Sequence, residues 1–513
     1  MKKLNFVLTA SVLLLTLSCK QEQKKNIVAR AETQKTDIVS AIIEDKENFY
    51  HIDFNSYPSN DTSLPIGVFD SGTGGLTVLK AIVNYDENNN ESFTKGGDGV
   101  IDFNKESFIY LGDQANMPYG NYSKENKVDL LNEHIIKDAQ FLMSNKYYSD
   151  ASDTEVNTDK QPVKALVIAC NTATAYGKEY IEEFLKKANS NLKVIGVIDA
   201  GVRGTLASLK KEEDAIVGVL ATAGTVASKG YSKTLLKFKD ELGYTGNIEV
   251  FSQGGVGIAE AVDEDPNYFD KNLKKPRDDY KGPGLDGDVK INKTLFDIYN
   301  FDFDNSKMLC DTEKSDDCSI LQINDSENYV RYHLVTLMEQ IRQSKTTNKL
   351  KSIILGCTHY PYLTDEIDAI LKELYSYKGK DGKYLYRDLM VENIQLIDPA
   401  VDTAKELHEY LKEEALFNPS GDIKNSEFYI SVANKNNSNN KIDEQGRFPY
   451  DYKYGRDAHK IQEYVKVVPF SRDNISYDIL TRFQEQIPYV YQLMQNFNQK
   501  NEKTTVLKEE SKI

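Results

Sequence analysis

Short apolar runs, each closed by a Gly- or Thr-rich turn and followed by an amphipathic stretch, set the rhythm of this 513-residue chain. Segments 66–69, 108–111, 165–168, 194–198, 216–220, 353–355 and 394–397 are largely apolar over four residues or so and read as buried strands. Between them, residues 127–145, 175–188, 203–211 and 364–375 carry apolar positions at helical spacing. Strand and helix alternating in this way predict an α/β fold with mainly parallel sheets covered on both faces. Functional side chains are then expected just beyond the carboxyl ends of the strands. The rhythm breaks at 85–105, 146–162, 264–330 and 434–460, all rich in Asp, Asn, Lys, Gly and Tyr, which read as insertions. The clusters near Asp86 and at Asp286-Gly287-Asp288 lack the Gly at position six and Glu at twelve of a calcium loop, so they are expected to be turns.

The first 19 residues follow another pattern. Lys2-Lys3 precede an apolar run from Phe6 to Leu17 that ends in Ser18-Cys19. A basic start and a dozen apolar residues describe a secretory signal, too short to span a bilayer as a mature helix. The segment Leu15-Thr16-Leu17-Ser18-Cys19 resembles a bacterial lipobox, with Cys19 as the lipidated residue and Thr16 where Leu is usual. Residues 20–61 are polar and are expected to be a tether to a body over 62–433, with 434–513 a C-terminal extension ending in helix. The composition adds little beyond exclusion. With 63 basic against 79 acidic residues the net charge is −16, which argues against nucleic acid as a partner.

Five cysteines are too few for a disulfide scaffold at this length. Two of them sit at strand ends. The run 165–168 leads into Ala169-Cys170-Asn171-Thr172, and 353–355 into Gly356-Cys357-Thr358-His359-Tyr360-Pro361. Each opens onto hydroxyl and amide groups. Either thiol alone would read as a buried structural cysteine. Two in equivalent settings suit paired acid–base groups acting on opposite faces of one carbon. The run 66–69 leads into Asp70-Ser71-Gly72-Thr73-Gly74-Gly75; this is no dinucleotide fingerprint, because its third Gly would fall on Thr77. It suits a turn into a helix N-terminus that offers N–H groups to an anion.

Taken together, Ile66-Gly67-Val68-Phe69-Asp70-Ser71-Gly72, Gly112-Asp113 with Pro118-Tyr119-Gly120, Cys170-Asn171-Thr172, Gly224-Thr225-Val226 and Gly356-Cys357-Thr358-His359-Tyr360-Pro361 resemble the successive motifs of the glutamate racemases, in the aspartate/glutamate racemase superfamily. The resemblance covers about 64–263 and 330–433. It implies two pseudo-symmetric α/β lobes with the active site in the cleft between them. It also implies proton transfer with neither pyridoxal phosphate nor metal. By resemblance Cys170 deprotonates D-glutamate and Cys357 L-glutamate. Asp70 and His359 are their polar partners, and Ser71, Pro118, Tyr119, Gly120, Asn171, Thr172 and Thr358 hold substrate alongside them. The family's further catalytic Glu falls on Glu260, although the Cys-Pro pair usual eight residues before it is Ser252-Gln253 here. Cys-Thr-His at the second site favours glutamate over aspartate.

Cys310 and Cys318 lie in the 264–330 insertion, where an oxidising compartment favours a short-loop disulfide. The expected protein is therefore an envelope-anchored glutamate racemase, held to a membrane through Cys19, supplying D-glutamate for peptidoglycan. A racemase of aspartate or another amino acid, and a non-catalytic lipoprotein that binds amino acids or wall fragments, are the competing readings. A homodimer is left open.

Overall fold

The computed structural model describes residues 37–262, 265, 267–287, 289–312 and 317–513. The signal segment, Cys19 and the first part of the expected tether lie outside these residues. Strand β1 (Ile66–Asp70), β2 (Phe108–Gly112), β3 (Ala165–Ile168) and β4 (Lys193–Gly196) are parallel, and the sheet they form is extended by β11 (Glu427–Ala433) and β12 (Val465–Pro469) in the order β12-β11-β2-β1-β3-β4. A second sheet holds β5 (Ala215–Ala221), β6 (Ile248–Gly254), β9 (Leu350–Gly356) and β10 (Met390–Ile397), all parallel, in the order β10-β9-β5-β6. Every residue of β1, β2, β3 and β5 is buried, as expected of a sheet with helices on both faces. The short hairpin β7 (Met308–Cys310) and β8 (Leu321–Ile323) completes the strands among the described residues.

The chain crosses from the first lobe to the second through the helix Val197–Ala207 and returns through Pro399–Glu413, and these two helices pack on each other. Parallel strands need such long crossovers, which is what separates the two sheets into lobes. The helix begins at Val197, so the expected strand over 194–198 is cut short by two residues.

Several peripheral expectations change. Residues 37–61 are part of the body: the helix Ile38–Ile43 is capped by Asp37 and buries Ile38, Ala41 and Ile42, and Tyr50 and Ile52 follow them into the core of the first lobe. Apolar residues too sparse to stand out of a polar stretch are enough to dock it. The C-terminal extension supplies the antiparallel edge strand β12 and the helices Tyr477–Gln486 and Pro488–Lys500, whose Val490, Met494 and Phe497 join the same core. The 264–330 insertion packs Ile291, Tyr299, Met308 and Leu321 into the core of the second lobe, and Cys310 and Cys318 are disulfide-bonded there.

Candidate active site

In the first lobe, β1 delivers Asp70 to the start of the glycine turn. Its Oδ2 accepts hydrogen bonds from the N–H groups of Gly72 at 3.2 Å and Gly75 at 3.0 Å. A Cβ on residue 75 would lie 2.5 Å from the Cβ of Asp70 and 2.8 Å from that of Ala169, so only glycine lets the turn close so tightly. Cys170 follows β3 as the cap of the helix Asn171–Lys187, where its Sγ accepts from the Ala173 N–H at 3.4 Å and donates to Ser71 Oγ at 3.7 Å. Burial, and then the negative charge of Asp70, push its thiol up to about 12; the Ala173 and Ser71 contacts offset only part of that.

In the second lobe, β9 ends at Gly356 and presents Cys357, whose Sγ is 3.6 Å from His359 Nδ1. Glu260 lies on the short helix Ile258–Val262 after β6 and accepts from the Gly257 N–H at 3.0 Å. Burial raises its pKa, and the charge of His359 works in the opposite direction. The two lobes meet at Gly74: a Cβ there would lie 3.0 Å from Thr358 Oγ1, 3.6 Å from Asp70 Oδ2 and 3.7 Å from His359 Cε1. Groups from opposite lobes thus converge on one point. Asn171 ties the lobes together by accepting from Tyr231 Oη at 2.7 Å, and it lines a cavity of about 250 Å³ together with Cys357 and Thr358. Both Cys170 and Cys357 are free thiols.

The Pro118–Gly120 loop needs a correction. Pro118 follows a cis peptide bond, and Tyr119, expected to face substrate, is buried with its hydroxyl 2.6 Å from both Asp113 Oδ2 and Asp138 Oδ2. One phenol hydrogen cannot serve two carboxylates, so one of them carries a proton; burial and the neighbouring Asp113 push Asp138 well above the usual carboxylate range. The Tyr119 side chain anchors the loop. Gly120 abuts Gly224 of the other lobe, where a Cβ would approach the Gly120 Cα to 3.2 Å. Thr172 is buried in the first turn of its helix.

Several site-building residues carry no signal in the motifs. The insertion between β11 and β12 reaches this same loop: Lys453 Nζ donates to the Met117 carbonyl at 2.5 Å, Tyr454 Oη to that of Pro118 at 3.1 Å, and Arg456 to Asn116 Oδ1 at 2.7 Å. Only their spacing from the motifs, over 300 residues away, hid them. Net hydrogen-bond contributions near 1 kcal/mol each predict that Lys453→Met with Tyr454→Phe raises the substrate KM about thirtyfold with a smaller effect on kcat. Steady-state kinetics on the double variant checks this, and an unchanged KM would contradict it. Among the described residues, the one cluster with metal-ligand spacing is Cys310, Asp311 and Cys318, and its two sulfurs are already bonded to each other.

No protein-family model matches the chain. It is 27% identical over 353 residues to the glutamate racemase of Lactobacillus johnsonii, covering 69% of this chain and 83% of that one. It is 26% identical over 370 residues to that of Thermoanaerobacter pseudethanolicus, covering 72% and 88%. Over a shorter stretch of 172 residues it is 35% identical to that of Aquifex pyrophilus, covering 34% and 50%. Its overlap with the crystal structure of glutamate racemase from Francisella tularensis in complex with D-glutamate is low, with a TM-score of 0.39 at 23% identity over 72% of this chain and 88% of that one. The relationship rests on the sequence matches. By these the chain is similar, over 69% to 72% of its length, to the glutamate racemases of the aspartate/glutamate racemase superfamily.

Proposed function

We propose that the protein interconverts L- and D-glutamate without a cofactor, using Cys170 and Cys357 as the two proton carriers. The observation that carries this reading is the convergence at Gly74 of Asp70 from one lobe with Thr358 and His359 from the other, each flank holding a free thiol. One thiolate removes the α-hydrogen as a proton, leaving the electron pair on the α-carbon. The thiol on the opposite face then delivers its own proton to that carbon, so the two sulfurs exchange protonation states in each turnover. The negative charge building on the substrate is met by N–H and hydroxyl donors of the turns at 70–75 and 170–173. A thiol as high as Cys170 needs a partner to ionise. In this account the α-ammonium group of the bound amino acid supplies it, so the base forms only when substrate is present.

His359 beside Cys357 supports glutamate over aspartate. Purified residues 20–513, kept reduced, are expected to racemise L-glutamate and D-glutamate, followed by circular dichroism, at least tenfold faster than either aspartate enantiomer. Faster turnover of aspartate would replace the substrate and keep the chemistry. Product D-glutamate would serve peptidoglycan synthesis.

We further propose attachment to a membrane through lipidated Cys19. No helix among the described residues is long and apolar enough to cross one. Cys19→Ala is expected to move the protein from the membrane fraction to the soluble fraction; retention with membranes would contradict the anchor.

A further inference from the structure

The turn that carries Glu260 departs from the family pattern that the sequence resembles, with Gln253 standing where a proline is usual. Around it the structure holds a closed set of hydrogen bonds. His333, wholly buried on the helix Ser326–Ser344, has Nε2 at 2.9 Å from the Val256 carbonyl and Nδ1 at 3.0 Å from Gln253 Nε2. A carbonyl only accepts, so Nε2 carries the hydrogen and Nδ1 accepts from the Gln253 amide. Gln253 Oε1 in turn accepts from Gln340 Nε2 at 2.7 Å, which fixes the orientation of the amide. Burial lowers the His333 pKa to about 4, so the ring stays neutral and the pattern holds through the ordinary pH range.

Two further contacts show what this set holds in place. Tyr360, the residue after His359, donates its hydroxyl to the Gly255 carbonyl at 3.2 Å. Gly257, at φ +92°, donates its N–H to Glu260. Residues 255–257 are therefore gripped on one side by the loop that carries Cys357 and His359 and on the other by His333. The Glu260 carboxylate hangs from the end of that turn, close enough for His359 to act on its charge.

We infer that His333, oriented by Gln253 and Gln340, is a positioning residue that holds the turn carrying Glu260 against the loop that carries Cys357 and His359. The inference rests on the proposed roles of Cys357, His359 and Glu260. It does not require that glutamate be the substrate. Removing the His333 donor leaves the Val256 carbonyl without its partner, while Gln253 keeps only its bonds to the Gly254 carbonyl and Gln340, so the turn must rearrange to satisfy the freed carbonyl. Glu260 then shifts with the turn relative to the loop of Cys357 and His359, which is tied to the same turn through Tyr360.

The test reads Cys357 directly, so that it remains informative if racemisation fails. In a Cys170→Ala background, the rate of iodoacetamide alkylation at Cys357 is measured by mass spectrometry at one fixed pH. Glu260→Gln and His333→Leu are each expected to change it about tenfold and in the same direction. His333→Leu added to Glu260→Gln is expected to change it less than twofold, because both act through the same carboxylate. His333→Gln, which restores a donor to Val256, is expected to return most of the rate. Independent, additive effects of the two substitutions would overturn the inference, as would no effect of either one. Where His333→Leu does not fold, as judged by circular dichroism, Gln340→Met is tested in the same cycle with the same expectations at reduced size. Racemisation, measured with Cys170 restored, separates the two levels: altered alkylation in a protein that racemises no amino acid would keep the positioning role and reject the proposed function.

Discussion

Cys170→Ala and Cys357→Ala are each expected to lower racemisation of glutamate about 10³-fold, in both directions, while leaving glutamate binding within about threefold of the parent. The argument is stoichiometric. Each passage between enantiomers needs one sulfur to accept a proton and the other to donate one, so losing either stops both directions. Binding survives because Asp70 and the turn N–H groups are untouched, Asp70 being held by Gly72 and Gly75 and not by the thiol. Serine in place of either cysteine is expected to fail as completely, since its hydroxyl ionises far less readily. Kinetics from each enantiomer, with binding followed by ligand-observed NMR, checks the pair. A variant that retained near-parent rates in one direction would mean that its cysteine is not a proton carrier.

Lys164→Met is expected to destabilise the first lobe by about 3–5 kcal/mol, the cost of leaving one member of a buried ion pair uncompensated. Lys164 Nζ lies 2.7 Å from Glu106 Oε2, and both side chains are at most 1% exposed. The same ammonium donates to the carbonyls of Thr62 at 2.7 Å and Leu416 at 2.8 Å, while Glu106 Oε1 accepts from the Asn418 N–H at 2.7 Å. This one residue therefore ties the entry to β1, the approach to β2, the base of β3 and the return from the second lobe. Burial pushes Glu106 up and Lys164 down, each against the pull of the other. Lys164→Met with Glu106→Leu removes the stranded charge and is expected to recover half or more of the loss. The residual deficit reflects the Thr62 and Leu416 carbonyls and the Asn418 amide. Urea unfolding of both variants checks this, and equal destabilisation of single and double would contradict it.

What could be read in advance follows from how local each signal is. Strands β1, β2, β3, β5 and β9 announce themselves because both faces are buried, and a four-residue apolar run needs no partner to be recognised. The two cysteines and Asp70 were legible because each follows directly on such a run. Strand β6 was not, since only Ile248 and Gln253 of Ile248–Gly254 are fully buried and its pattern is mixed. The docking of 37–61 and the contribution of β11 and β12 depend on contacts across hundreds of residues. The same holds within the site. That Tyr119 turns inward is decided by Asp113 and Asp138, and nothing in the local motif reports Asp138 as its partner. His333 reads from sequence as one more histidine on a helix, and only the Val256 carbonyl gives it a task.

The burial of Cys170 also bears on the proposed attachment to a membrane through Cys19. A thiol held near 12 by burial is a poor target for oxidants, which attack thiolates. Cys170 is then protected until substrate arrives, while Cys310 and Cys318, in the same chain, are already paired.

The central claim, two-base proton transfer between Cys170 and Cys357, is tested most directly by exchange at the α-carbon. Residues 20–513, reduced, are incubated with L-glutamate in heavy water and followed together by proton NMR and circular dichroism. The account predicts loss of the α-proton signal in step with loss of optical activity, with deuterium appearing first in the D-enantiomer, and neither change in Cys170→Ala or Cys357→Ala. Optical activity and the α-proton signal both persisting in the parent protein, from either enantiomer, would contradict it.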